Sequence, residues 1–155
     1  MVAFLRKAFL EVFGDNLISL ILFGSWARGE QRLDSDIDIL IVLEEVGDRY
    51  YIHKKIDAIE DMLFKWLVES GYSGLKPYIS PVIYDKRTAL RFHPLYLDIV
   101  FDYKIIVDRH GFMEGVLERL RSRMKEWGSK RVYMGNFWYV DLKPGMKLGE
   151  VIEFE

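Results

Sequence analysis

Phe23-Gly24-Ser25-Trp26-Ala27-Arg28-Gly29, followed closely by Ser35-Asp36-Ile37-Asp38-Ile39-Leu40-Ile41, decides the fold of this chain. The apolar run at 18–23 is typical of a buried strand, and the Gly-Ser pair then turns the chain into a short helix. The first N–H groups of a helix have no partner within it, and the helix dipole favours an anion at that end. Gly24 lets the backbone approach such an anion, and Ser25 adds a hydroxyl donor. The stretch therefore predicts a strand, a phosphate-binding turn and a short helix.

A pair of carboxylates follows on the next predicted strand. Residues two apart on a strand project from the same face, so Asp36 and Asp38 point together, while Ile37, Ile39 and Ile41 face the core. Two adjacent carboxylates repel each other unless a cation, a shared proton or water lies between them. Because Mg²⁺ is usually held by one or two carboxylates together with substrate phosphates, it is the natural cation for this pair.

The combination Gly24-Ser25-x-Ala27-Arg28-Gly29 and Ser35-Asp36-x-Asp38 resembles the signature of the DNA polymerase beta-like nucleotidyltransferase superfamily, in particular its small, minimal members. The resemblance implies an α/β (α+β) fold in which a small mixed β-sheet is flanked by helices. It implies that Mg²⁺ or Mn²⁺ is bound and that AMP passes from ATP to a hydroxyl group on a protein or RNA acceptor. Site residues follow by resemblance: Asp36 and Asp38 as metal ligands and catalytic residues, and Gly24, Ser25, Arg28 and Gly29 at the nucleotide.

Two points at this site remain open in the sequence. Arg28 either neutralises phosphate charge or pairs with Glu30 or Asp34 on the surface. The superfamily generally carries a third carboxylate on a neighbouring strand, but the matching strand, predicted at 76–84, contains no acid. Asp85 follows at the end of that strand, where a turn acid is the simpler interpretation.

Three alternatives to a transferase remain. The missing acid supports a nucleotide-binding or regulatory module with weak or no catalysis. The resemblance alone implies an antitoxin-like partner of a helical protein. A third is an interaction domain that uses the aromatic C-terminal tail.

Composition limits the other classes of function. The chain has 155 residues, half of them hydrophobic, which predicts one domain over 1–155, with a core at about 15–110 and a C-terminal helix and tail at 111–155. A net charge of −2 gives no general attraction for nucleic acid, and the absence of cysteine excludes disulfides. No signal peptide or membrane-spanning run is recognisable, so we expect a cytoplasmic protein. Asparagine and glutamine are nearly absent, which hints at a thermophilic source.

Hydrophobic periodicity predicts the remaining elements. Helices are expected at 2–13, 48–70 and 112–127, and 95–107 is interpreted as a short helix followed by an edge strand. Asp98 and Asp102 would share one face of that short helix, as surface acids or as a carboxylate pair.

The last third of the chain is basic and then aromatic. The basic run contains Arg119, Arg121, Arg123, Lys125, Lys130 and Arg131. It is either a solvated face or a surface beside the nucleotide that holds an acidic acceptor. The aromatic tail contains Tyr133, Phe137, Trp138 and Tyr139 and is expected to pack against the domain. The final residues, 151–155, alternate like a strand.

Overall fold

A four-stranded sheet forms the centre of the computed structural model, which describes residues 1–32, 34–135 and 137–154. Its order is β3-β2-β1-β4, with β1 at Leu17–Leu22, β2 at Ile37–Leu43, β3 at Ile79–Asp85 and β4 at Lys104–Asp108. β1 runs antiparallel to β2 and β4, whereas β2 and β3 are parallel. This mixed sheet confirms the predicted fold class.

Helices cover both faces of the sheet. They are α1 at Val2–Phe13, α2 at Gly24–Arg28, α3 at Arg49–Glu69, α4 at Lys86–Ala89, α5 at Leu95–Ile99 and α6 at Phe112–Trp127. α1 and α3 pack on one face, and α5 and α6 on the other. The long α3 begins where the Asp48 carboxylate accepts a hydrogen bond from the Tyr50 N–H. The three predicted helices and the order of short helix and edge strand are confirmed. In the described part of the chain, no helix combines the length and apolarity needed to cross a membrane.

Each face of the sheet packs against helices to form a hydrophobic core, and β2 contributes side chains to both cores because successive side chains point to opposite faces. Ile37, Ile39 and Ile41 pack under α1 and α3, as predicted, while Leu40 and Val42 pack under α5 and α6. Asp38 lies on the same face as Leu40 and Val42, one step before the cover of α5 and α6 begins. The alternation thus places this carboxylate at the open end of the second core.

A buried acid holds the start of β3 against α3. Glu60 on α3 is 5% exposed, and its Oε1 accepts a hydrogen bond of 2.7 Å from the Ile79 N–H. Lys76 Nζ lies 3.7 Å from the other carboxylate oxygen and partly compensates the buried charge. Glu60 therefore fixes the point at which the chain enters β3.

Replacing Glu60 by alanine is expected to lower the free energy of unfolding by about 1–3 kcal/mol, because the Ile79 N–H would be left buried without a partner. Urea titration of the purified variant measures this. Glu69→Ala is the matched control, since Glu69 is exposed on the last turn of the same helix. Equal midpoints for the two variants would contradict the role of Glu60.

Three expectations for the C-terminal half need correction. α5 ends at Ile99, so Asp102 lies beyond it and does not share a helical face with Asp98. The third strand begins at Ile79 rather than at Lys76, because Glu60 binds the Ile79 N–H. Residues 151–154 form no strand, and Glu155 lies outside the described residues.

The C-terminal tail forms a β-hairpin and then packs the Phe154 side chain against the core. β5 (Lys130–Met134) pairs antiparallel with β6 (Phe137–Asp141). Val140 and Phe154 pack against the core under α5 and α6, and the Phe154 ring stacks on Phe92 with centroids 3.6 Å apart. Of the four aromatic residues expected to pack against the domain, Trp138 does so, with its ring edge-on to Phe101. The expectation is wrong for the other three, Tyr133, Phe137 and Tyr139, which are exposed.

Candidate functional site

The turn between β1 and α2 carries the first half of the site. Gly24 has φ +69°, and Gly29 ends α2 in the left-handed region with φ +76°. Both positions favour glycine because a Cβ is strained at positive φ. The Phe23 N–H donates to the Asp38 backbone oxygen at 3.0 Å, so the turn is attached directly to β2. The two halves of the sequence motif are therefore neighbours in space.

Gly24 and Asp38 are in direct contact. A Cβ placed on Gly24 would lie 2.1 Å from Asp38 Oδ2, far inside van der Waals distance. The carboxylate therefore packs on the bare backbone of the turn. A ligand held by the turn would lie beside this carboxylate.

Asp36 and Asp38 interact electrostatically, but β2 begins at Ile37, so Asp36 precedes the strand on which it was predicted. Asp36 is exposed just before β2, and Asp38 is half-buried within it. Burial and then the neighbouring Asp36 charge raise the pKa of Asp38, while the charge of Arg28 lowers it. This negative pair suits a divalent cation that takes its other ligands from water and phosphate. Among the described residues, no group of three or more histidine, aspartate or glutamate side chains could hold a metal ion.

Hydrogen bonds to Ser35 shape the loop that leads to the carboxylates. Its Oγ accepts a bond of 2.8 Å from the Arg32 N–H, and its carbonyl accepts one of 3.2 Å from Trp26 Nε1. Ser35 thus ties the loop to α2 and sets the entry of the chain into β2. Ser35 and Trp26 of the motif therefore have structural roles.

Ser80 lies beside Asp38 on the neighbouring strand. In the parallel pairing of β2 and β3, Ser80 is the partner of Asp38, so both side chains project from the same face. Asp85 pairs with Leu43 at the other end of the strands and accepts a hydrogen bond from the Thr88 N–H at 2.6 Å. This bond lowers the pKa of Asp85. Asp85 is therefore the last residue of β3 and the N-cap of α4 rather than an exposed turn acid. The position of Ser80 beside Asp38 could be found only from the register of β3.

Arg28 lies between the carboxylate pair and the C-terminal part of the chain. Its Nε is 2.7 Å from Glu30 Oε2, so the surface pairing considered in the sequence does form. Burial raises the pKa of Asp38 and that of Asp98 on α5, and the positive charge of Arg28 opposes both shifts, as does that of Arg131 for Asp98. Asp98 was not predicted as a neighbour of Arg28, and no local sequence signal indicates it.

A cavity of about 240 Å³ adjoins Arg28. Its walls are Arg28, Glu30, Asp102, Arg131, Tyr133 and Trp138. The basic run is accordingly divided: Arg131 borders Arg28, while Arg119 and Arg123 line another cavity, of about 320 Å³, beside Phe154. The sequence did not predict the cavity beside Arg28, because the residues that line it come from segments up to about a hundred residues apart along the chain.

Comparison with known proteins identifies the family. The profile of the nucleotidyltransferase domain family matches residues 4–107. The Methanocaldococcus jannaschii protein MJ1305, described as a candidate protein adenylyltransferase, is 35% identical over 124 residues, covering 79% of each chain. Protein adenylyltransferase MntA of Thermococcus cleftensis is 31% identical over 86 residues, covering 51% of this chain and 83% of that protein.

A solved structure is also distantly similar. It contains the tri-AMPylated HEPN toxin of Shewanella oneidensis in complex with the MNT antitoxin, and the matched chain has a TM-score of 0.48 and 16% identity, covering 81% of this chain and 88% of that one. The family assignment rests on the sequence matches. They confirm the resemblance seen in the motif, and the chain belongs to the nucleotidyltransferase domain family.

Proposed function

We propose that this protein transfers AMP from ATP to a hydroxyl group of a protein, with Mg²⁺ or Mn²⁺ bound by Asp36 and Asp38. The observation that carries the proposal is the direct packing of the Asp38 carboxylate on the Gly24 backbone. It brings a metal-binding acid and the phosphate-binding turn to one point. Membership of the nucleotidyltransferase domain family supports the reaction class.

Each site residue has a role in this proposal. The backbone N–H groups at Gly24 and Ser25, with the Ser25 hydroxyl, bind phosphate oxygens, and the left-handed Gly29 ends the helix so that the turn stays compact. Arg28 offsets phosphate charge. When bound, the cation neutralises phosphate charge and polarises the phosphoryl oxygen. The chain itself contributes positioning for in-line attack by the acceptor hydroxyl on the α-phosphorus, with pyrophosphate as the leaving group.

A protein acceptor fits better than RNA. Two relatives, MJ1305 and MntA, are named for adenylyl transfer to protein. A phosphate backbone is bound mainly by several basic side chains. Beyond Arg28, which the proposal assigns to the nucleotide, the basic residue that lines the cavity is Arg131, and it is already paired with Asp102.

A second candidate function rests on Ser80. Ser80 is the partner of Asp38 on the neighbouring strand, where the resemblance led us to expect a third carboxylate, and it offers only a hydroxyl. The proposed site then has no evident acceptor for the proton of the attacking hydroxyl. A nucleotide-binding module without turnover would have this arrangement.

One labelling experiment separates the two candidates. The protein is incubated with ATP labelled at the α-phosphate, Mg²⁺ or Mn²⁺, and either itself, a panel of purified proteins from the source organism or its total RNA. Label on protein that disappears in the Asp36→Asn/Asp38→Asn variant supports the transferase. Metal-dependent ATP binding with no label on any acceptor supports the binding module, and label on RNA alone would overturn the protein acceptor.

Introducing the missing carboxylate tests the role of Ser80. Ser80→Asp is expected to tighten Mn²⁺ binding about tenfold, because an added charged oxygen ligand stabilises the bound cation by roughly 1.4 kcal/mol. Titration of Mn²⁺ in the presence of ATP, followed by calorimetry, measures the change. Ser80→Asn has nearly the same shape without the charge and should leave the affinity unchanged. Equal Mn²⁺ affinities of the Ser80→Asp and Ser80→Asn variants would show that residue 80 does not face the metal.

A further inference from the structure

The C-terminal hairpin lies beside Arg28, one of the residues assigned to the nucleotide in the proposed function. The family match ends at residue 107, so the hairpin lies outside the matched domain. The chain nevertheless folds β5 and β6 back towards the turn, where Tyr133 and Trp138 share the cavity of about 240 Å³ with Arg28. Arg28 is the last residue of α2, the short helix that begins at Gly24 of the proposed phosphate-binding turn. The cavity therefore places the hairpin beside a residue of the proposed nucleotide site.

Arg131 holds the hairpin in this position. Its guanidinium carbon lies 4.2 Å from the centre of the Trp138 ring and 4.5 Å from that of Phe101, so it is enclosed by two aromatic rings. Its Nη2 lies 2.6 Å from Asp102 Oδ2, an ion pair whose atoms are not aligned as a hydrogen bond. The side chain is only 12% exposed. A side chain buried in this way gives the hairpin a fixed orientation beside Arg28.

Arg131 also binds the hydroxyl of Tyr133. Arg131 Nη1 donates to Tyr133 Oη at 3.3 Å, while the tyrosine as a whole is 67% exposed. A cationic donor stabilises the negative charge that grows on a phenolic oxygen as it attacks an electrophile. Tyr139, on the opposite face of the hairpin, has no such donor among the described residues. Tyr133 thus combines an accessible, oriented hydroxyl with a place on the wall shared with Arg28.

We propose that Tyr133 accepts AMP from ATP bound in the same chain, so that the protein adenylylates itself. This inference rests on the proposed function. Tyr133 Oη forms a bond to the α-phosphorus, the bond from that phosphorus to the bridging oxygen breaks, and pyrophosphate leaves with the electron pair. The phenolic proton passes to water. No oxidant or further reactant is needed.

Mass spectrometry of the purified protein tests the proposal. After incubation with ATP and Mg²⁺ or Mn²⁺, a tryptic peptide containing Tyr133 should gain the mass of AMP less one water. The fraction modified should rise at a rate that does not change when the protein is diluted, because donor and acceptor belong to one chain. Tyr133→Phe should reduce the modification to background, and thermal unfolding checks that this variant is folded. Tyr139→Phe is the matched control and should be modified like the wild type.

The outcomes distinguish this inference from the proposed function. Transfer of AMP to another protein, with Tyr133 unmodified, would overturn the inference alone. Modification of a different residue, such as the exposed Tyr78 beside the start of β2, would do the same. A rate that rises with protein concentration would show transfer between chains and overturn the path within one chain. No AMP on any residue or acceptor would overturn the proposed function as well.

Discussion

Replacing Asp38 by asparagine is expected to lower the rate of AMP transfer by about a thousandfold, equivalent to roughly 4 kcal/mol of transition-state stabilisation. The amide keeps the shape of the carboxylate on Gly24 but removes the charge that we propose holds the cation. The same change should raise the temperature of thermal unfolding in metal-free buffer. Labelled ATP measures the first effect, and differential scanning calorimetry with a chelator measures the second.

The difference in unfolding temperature between wild type and Asp38→Asn should depend on pH. Burial and Asp36 raise the pKa of Asp38 above its usual value of 3.8, so ionising this carboxyl costs free energy in the folded protein at neutral pH. That cost disappears as the pH falls through the raised pKa. The unfolding temperatures of wild type and variant should therefore converge in acid. Asp34→Asn, an exposed change nearby, should alter neither transfer nor stability. Lower stability of Asp38→Asn at neutral pH would contradict the repulsive pair.

Replacing Gly24 by alanine is expected to lower AMP transfer by about a hundredfold, because displacement of a catalytic group by about 1 Å has effects of this size. The new methyl group would lie 2.1 Å from Asp38 Oδ2, so the carboxylate has to move. The positive φ of residue 24 adds strain of about 1–2 kcal/mol. Transfer assays and urea titration measure the two effects separately.

Gly128→Ala is the control that separates the effect of backbone strain from the effect of displacing the Asp38 carboxylate. Gly128 ends α6 with φ +70°, nearly the same as Gly24, and has nothing within 4 Å of a new Cβ. It should lose a similar free energy of unfolding and keep full transfer activity. If Gly24→Ala retained its activity as well, the contact between Gly24 and Asp38 would have no functional role.

Local patterns were sufficient for the long helices and the first two strands of this fold, and for the turn and carboxylates of the site, but not for α4 or the hairpin of β5 and β6. Helical periodicity placed α1 and α6 at their observed bounds, because a helix that buries one face repeats its apolar residues at fixed spacing. Alternation on β2 separated Ile37 from Asp38 for the same kind of reason. The motif also paired Gly24 with Asp38, which the contact between them bears out. The proposed roles of these residues stay predictions.

Tertiary structure decided what surrounds the carboxylates, because those neighbours come from distant parts of the chain. The register of two parallel strands brings Ser80 beside Asp38, and a parallel register depends on the crossover helix and on the hydrogen bond from Ile79 to Glu60. The hairpin reaches Arg28 because Arg131 is enclosed between Phe101 and Trp138. The sequence alone determined the strand, turn and helix that carry the site, since these follow from neighbouring residues. Which other groups lie beside the site depends on packing between segments that are distant in the sequence, and a local sequence pattern does not predict such contacts.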